Sequence, residues 1–221
     1  MSIEVYWGCG SPYSWRVLLA LEIKRMPYKS VRLGFSEKDL KSDRFLAINP
    51  RGQVPAIREG GFTLYESIAI LCYLEARQPE PALFGLSAAE QGRIWRSIME
   101  CVSYWEPHMT HFVGTVFSGE LPEKREEAVR SRQMVEKEMS RLNDELVRAD
   151  FLAGRAQVSA ADVAYYPVVQ LLTIAAKREN TEEIGGTLRE IEKHYPAVQA
   201  WCKKMEAIPG FERTNPPHWR P

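Results

Sequence analysis

Apolar and other side chains alternate at period two from Ile3 to Trp7, as in a strand with a buried face, and Gly8 stops the run. After a short turn-rich break, Val17-Leu18-Leu19-Ala20-Leu21-Glu22 reads as a buried helix that closes before Pro27. Tyr28 to Leu33 is rich in strand formers again, and Asp39 to Ile48 is compatible with a helix. Val54 to Arg58 and Phe62-Thr63-Leu64 form two short strands around Gly60-Gly61, a hairpin signal. Ser67 to Ala76 closes this half as a helix. The order βαβ followed by αββα predicts an α/β domain with a mixed sheet.

Beyond about Ser87 the pattern is helical only. Ser87 with Glu90, and again Ser159 with Asp162, have the spacing of a capping box at a helix start. Ile94, Ile98 and Val102 recur at helical spacing, as do Val135, Met139, Leu142 and Leu146 on a second, highly charged helix. Val163 to Ala176 is mostly apolar and predicts a buried central helix. Val198, Trp201, Cys202 and Met205 mark a last amphipathic helix, stopped by Pro209-Gly210. The expected division is therefore a first domain over 1–77, a linker over 78–87 containing Gln78-Pro79-Glu80-Pro81, and an all-helical domain over 88–221.

Composition narrows the function classes. The 221 residues are 45% hydrophobic and carry 29 basic and 29 acidic side chains, a formal net charge of zero. A general nucleic-acid binder needs a basic surface to displace phosphate counterions, so that class is disfavoured. The four cysteines, Cys9, Cys72, Cys101 and Cys202, lie far apart, and reduced thiols are expected. Met1-Ser2-Ile3-Glu4 shows no basic leader, and no apolar run reaches the roughly 18 residues that span a bilayer. A soluble, cytoplasmic chain with no membrane partner is the expectation.

Candidate chemistry begins at the turn Cys9-Gly10-Ser11-Pro12-Tyr13-Ser14-Trp15, which leads from a strand end into a helix N-terminus. Such a turn directs unpaired N–H groups and the positive end of the helix dipole at one spot, favouring an anion. A serine hydroxyl there can donate to a thiolate, though Ser11 and Ser14 can equally be plain helix caps. A second feature is Asn49-Pro50-Arg51-Gly52-Gln53-Val54-Pro55, where a proline at a strand entrance implies an edge, a bulge or a cis bond. If cis, it would present the Val54 backbone to a peptide as an extra strand partner; a plain loop turn is the other reading. Third, Glu66-Ser67 opens a helix, where Ser67 can cap or help hold a carboxylate and Glu66 could pair with an ammonium.

Taken in order with Leu152-Ala153-Gly154 and Ser159-Ala160-Ala161-Asp162, these motifs resemble the cytosolic glutathione transferase family over essentially the whole chain. Serine-type classes are the nearest in kind, with some likeness to zeta, theta, phi and tau. The resemblance implies a thioredoxin-like N-terminal domain, an all-helical C-terminal domain and a homodimer. Glutathione would be the co-substrate, with no metal. By motif position Ser11 would activate the thiol, and Gln53 and the Val54 backbone would hold the cysteinyl-glycine part beside a cis Pro55. Glu66 and Ser67 would bind the γ-glutamyl end, and Lys41 would meet the glycine carboxylate. The partner electrophile or peroxide would sit in an apolar pocket bordered by Pro12, Tyr13, Tyr104, Trp105, His108 and Phe112. Glutathione peroxidase activity is a possible accompaniment.

Other features stay open at this level. Cys9, two residues before Ser11, allows a thiol-based chemistry or the role of a small buried apolar residue. His108 and His111 lack a third metal ligand at convincing spacing. Tyr104, Trp105, Phe112 and Phe117 border a substrate pocket or simply pack a core around a kink at Pro107. Trp219 could cover the pocket or lie in solvent. Two rival functions remain: a zeta-like maleylacetoacetate isomerase, for which Tyr13 stands where that class carries cysteine, and a non-catalytic interaction module on the same fold.

Overall fold

The computed structural model describes residues 2–35 and 37–215, so Trp219 falls outside the described residues. Strand β1 (Ile3–Gly8) is followed by α1 (Pro12–Ile23), β2 (Tyr28–Leu33), α2 (Glu37–Leu40), α3 (Asp43–Leu46), β3 (Ala56–Glu59), β4 (Phe62–Tyr65) and α4 (Ser67–Arg77). The four strands form one sheet in the order β2-β1-β3-β4. β1 runs parallel to β2, with Ile3 opposite Tyr28 and Gly8 opposite Leu33, and antiparallel to β3, while β3 and β4 form the hairpin. The mixed sheet follows from connection length: α1 supplies the crossover a parallel pair needs, whereas Gly60-Gly61 joins an antiparallel one.

The continuous apolar run of α1 is buried on nearly every side, from Trp15 through Ile23. Where one helix was expected over 39–48 there are two short ones. Ser42 takes extended backbone and its hydroxyl accepts the Phe45 N–H at 3.3 Å, so the chain stops and restarts.

The chain divides into two compact units, one comprising residues up to Leu83 together with the chain from Ala207 onward, the other Phe84–Glu206. Two differences from the expected division have physical causes. The Gln78-to-Pro81 segment is tied into the first unit by Lys24, which is fully buried. Its ammonium donates to the carbonyls of Gln78 at 2.7 Å and Pro81 at 2.9 Å and pairs with Glu75 at 2.6 Å. The chain after Ala207 returns to α1 rather than staying with the helical unit, anchored by Phe211, Arg213 and Thr214.

The second unit holds α5 (Ala88–Glu100), a π-helical turn (Cys101–Trp105), α6 (Glu106–Ser118), α7 (Leu121–Leu146), α8 (Ala160–Ala176), α9 (Ile191–His194) and α10 (Pro196–Glu206). A short α11 (Phe211–Thr214) follows α10, beyond the Pro209-Gly210 stop, and belongs to the first unit. The irregularity near Pro107 is the π turn just before it, where the Glu106 N–H bonds back to the Cys101 carbonyl. Both expected capping boxes form. No helix among the described residues is long and apolar enough to cross a membrane.

Asp162 anchors this unit. Its carboxylate is fully buried; one oxygen accepts the Leu152 N–H and the Trp201 indole N–H, each at 2.9 Å. The other accepts the Ser159 N–H and hydroxyl, each at 2.8 Å. Burial pushes its carboxyl up to about 6, against the downward pull of these four donors. Because the folded value lies above the unfolded one, this group's contribution to stability is larger near pH 4 and declines as pH rises through about 6. Asp162→Ala and Asp162→Asn should each cost about 3–5 kcal/mol in urea unfolding, since Asn keeps only one accepting oxygen for four donors.

Candidate functional site

The site is built around the end of β1. The Ser11 N–H bonds back to the Gly8 carbonyl at 3.2 Å, and Gly10, at φ +89°, lets the chain reverse in three residues. Ser14 ties the turn from the other side. Its hydroxyl oxygen accepts the Gly8 N–H at 3.2 Å, and its own N–H donates to the Ser11 hydroxyl oxygen at 3.2 Å. Trp15 N–H to Ser11 carbonyl, at 3.0 Å, opens α1. Ser11 is 8% exposed. Its hydroxyl thus accepts as an N-cap while its proton makes no hydrogen bond among the described residues. Capping uses a lone pair and activation would use the proton, so the two readings of Ser11 are compatible.

From this turn a ring of contacts runs through the remaining candidates of the first unit. A methyl group placed on Gly8 would lie 3.0 Å from the Val54 side chain, so Val54 sits against the strand end. The Val54–Pro55 bond is cis. The loop ahead of it is held by Asn49, which is 2% exposed. Its amide donates to the Gln53 carbonyl at 2.6 Å and its oxygen accepts the Arg51 N–H at 3.0 Å. Gly52, at φ +61°, packs so closely on the neighbouring segment that a methyl there would lie 2.8 Å from the Lys41 ammonium. Lys41 in turn donates to the Arg51 carbonyl at 3.2 Å.

Arg51 reaches Glu66 at 3.9 Å, both side chains being exposed. Glu66 caps α4 with φ +71° and ψ 112°, a conformation costly for any residue but glycine, and its side chain makes no capping bond. The first turn of α4 is therefore left without a side-chain acceptor from its cap. Ser67, 7% exposed, accepts from the Arg16 guanidinium at 3.4 Å. Arg16 is 1% exposed and also lies over the Tyr13 ring at 5.2 Å, which returns the ring to the Ser11 turn. Pro12, buried, occupies the first position of α1 and Tyr13 is half-buried beside it.

Arg16, Ser14 and Asn49 are the residues whose roles sequence reasoning missed. Arg16 had a signal, a charge inside an otherwise apolar buried helix, and Asn49 had none beyond its place before proline.

The aromatic candidates of the second unit divide. Phe112 is fully buried in the core of the second unit. Trp105, 1% exposed, packs edge-on to Tyr165 at 5.2 Å. It forms part of the wall of a cavity of about 240 Å³ with Tyr104, which is exposed. His108 lies in a separate open groove of about 440 Å³ with His111, Arg130 and Met134, where His111 meets Glu127 at 3.4 Å. Cys9 and Cys72 are half-buried, and burial pushes the Cys202 thiol up to about 12.

A small mixed sheet with a helix-opening serine and a cis proline, followed by a helical unit, defines a two-part, thioredoxin-like class of protein. The description "Glutathione S-transferase, N-terminal domain" matches residues 10–77, and "Glutathione S-transferase, C-terminal domain" matches 124–204. Glutathione S-transferase 4 of Zea mays is 30% identical over 96% of this chain and 91% of its own. Glutathione S-transferase A of Pleuronectes platessa is 29% identical over 98% of this chain and 92% of its own. A Drosophila melanogaster protein named probable maleylacetoacetate isomerase 2 is 28% identical over 96% and 86%. Among solved structures, a Pseudomonas fluorescens glutathione transferase family member with two glutathione molecules bound superposes with a TM-score of 0.82 at 23% identity, over 96% and 92%. The chain belongs to the glutathione S-transferase family.

Asn49 offers a test of the loop. Asn49→Ala removes both bonds that shape residues 49–53 and should lower stability by about 1–3 kcal/mol in urea unfolding. It should also raise KM for glutathione more than it lowers kcat in steady-state assays.

Proposed function

We propose that the protein is a glutathione transferase in which Ser11 holds the glutathione sulfur as a thiolate for attack on an electrophilic carbon or a peroxide. The observation that carries this is the Ser11 hydroxyl: oriented by Ser14, buried at a helix N-terminus, with its proton uncommitted among the described residues. A free thiol has a pKa of about 8.5, and ionising it near neutrality requires a shift of about two units, or about 2.7 kcal/mol. One charge-assisted hydrogen bond contributes roughly 1.5–3 kcal/mol, and the α1 dipole roughly 0.3–1 more. The two suffice.

The rest of the ring accounts for the other parts of the tripeptide. The γ-glutamyl carboxylate fits the Ser67 hydroxyl and the first-turn N–H groups of α4, and Glu66 matches its ammonium. The Val54 backbone and Gln53 receive the cysteinyl-glycine part, and Lys41 the terminal carboxylate. With a halide substrate the thiolate forms a carbon–sulfur bond and the halide leaves with the electron pair. Glutathione bound to the Pseudomonas relative supports the same co-substrate here.

A homodimer belongs to this reading. Phe62, 46% exposed, stacks on Tyr73 at 5.0 Å, and Trp95 and Met99 are also exposed, apolar surface of the kind a partner copy covers. The name of the Drosophila relative favours a second reading, isomerisation of maleylacetoacetate. Direct assay on that substrate separates the two, since absence of turnover excludes it.

Ser11→Ala should lower kcat/KM for conjugation of a chloronitrobenzene by about tenfold to a hundredfold, equivalent to the one lost hydrogen bond. An unchanged value removes Ser11 from the mechanism. Calorimetry showing no glutathione binding at millimolar ligand would instead leave a non-catalytic module.

A further inference from the structure

We infer that α11 is a strut for the activating turn, and that Thr214 acts through Trp15 as a positioning residue for Ser11. This rests on the reading of Ser11 as the thiol-activating group.

The path is short and buried. Trp15, 3% exposed, donates its indole N–H to the Thr214 hydroxyl oxygen at 2.9 Å, and Thr214 is 2% exposed. The Thr214 proton is itself given to the Phe211 carbonyl at 2.8 Å, so the hydroxyl has one orientation and its lone pair faces the indole. Trp15 in turn gives its backbone N–H to the Ser11 carbonyl at 3.0 Å, while the preceding N–H, that of Ser14, holds the Ser11 hydroxyl. One bond from Trp15 to Thr214 and two parallel bonds from residues 14 and 15 to Ser11 therefore link two residues 203 positions apart in the chain.

α11 is itself held at a second point. Arg213 clasps Glu22, near the other end of α1, with its Nε at 3.0 Å, and Tyr28 donates to the same carboxylate at 3.2 Å. Gly210, at φ +88°, makes this approach possible, because a methyl there would lie 2.6 Å from the Glu22 carboxylate. The Phe211 ring stands 6.1 Å from that of Trp15. The helix thus contacts α1 at residues 15 and 22, about two turns apart, which resists rotation of the first turn about the helix axis. Rotation is the motion that would swing the Ser14 N–H off the Ser11 oxygen and turn its proton away from the sulfur. Hydrogen bonds weaken steeply with such misalignment, and an error near 1 Å at a reacting centre can cost about a hundredfold.

Thr214→Val keeps the shape of the side chain and removes the acceptor. In the full chain it should raise the thiol pKa of bound glutathione by about half to one unit. That shift is read from the pH profile of kcat/KM and from the ultraviolet absorbance of the thiolate, with KM for glutathione nearly constant. Thr214→Ser should restore the wild-type profile. Trp15→Phe breaks the same bond from the donor side and should give a similar shift, and the double variant should equal either single one rather than their sum. A merely structural contact would lower the urea midpoint in all of these without moving the pH profile, and that result overturns the inference. Should Thr214→Val fail to fold, Trp15→Phe against Thr214→Ser decides it. A wild-type profile in Thr214→Val alongside a large loss in Ser11→Ala rejects the strut and keeps the activating serine. No loss in Ser11→Ala rejects both.

Discussion

Everything at the site depends on a strand becoming a helix within three residues. β1 is the centre of the first unit's sheet, paired on both sides, so its end cannot drift. Gly8 closes it and Ser14 clamps the turn by taking the Gly8 N–H and giving its own to Ser11. A rigid sheet thereby fixes the position of a hydroxyl at the mouth of α1. The same geometry gathers the orphan N–H groups of a helix start, so the hydrogen bond and the dipole act at the same place. Neither would be worth much if the turn were a mobile loop.

The second constraint is how the loops opposite this turn are held without regular structure. Asn49 replaces the missing ladder with two side-chain bonds, and Gly52 brings the loop against Lys41. Glu66 is strained, at φ +71° and ψ 112°, and its strain is sustained by the strand before it and the helix after it. What accompanies the strain is a helix start whose cap side chain meets Arg51 instead, leaving the first-turn donors without an acceptor from the cap. Arg16 then links that helix start to Tyr13 beside the serine turn. One buried guanidinium thus joins the serine turn to the start of α4, a packing role that accounts for a charge within so apolar a helix.

Much of this was legible from residues alone, for reasons that differ by element. Period-two alternation exposed β1, strand-former content marked β2, and capping-box spacing marked the starts of α5 and α8 because two side chains must satisfy each other at a set distance. Ser11, Val54 and Ser67 were legible as a set because strand end, proline and helix start recur in one order. Less legible were effects decided by tertiary packing. The break between α2 and α3 turns on one serine choosing extended backbone. The core burial of Phe112 depends on which face of α6 meets its neighbours, which helical spacing alone leaves open. The return of the chain after Ala207 leaves no periodic trace, since α11 is a single turn recognised only by what Trp15 and Glu22 offer it.

The polar groups buried deepest in each unit share a logic that separates structure from chemistry. Lys24 meets two carbonyls and a carboxylate, and Asp162 meets four donors, so each is satisfied by the fold and removed from reactivity. Such groups cost desolvation and return specificity, because any other arrangement would strand them. Ser11 is buried almost as well but only half used, accepting one bond and keeping its proton. On the proposed reading that proton is what a thiolate would accept, so Ser11 would combine a structural bond with a chemical one.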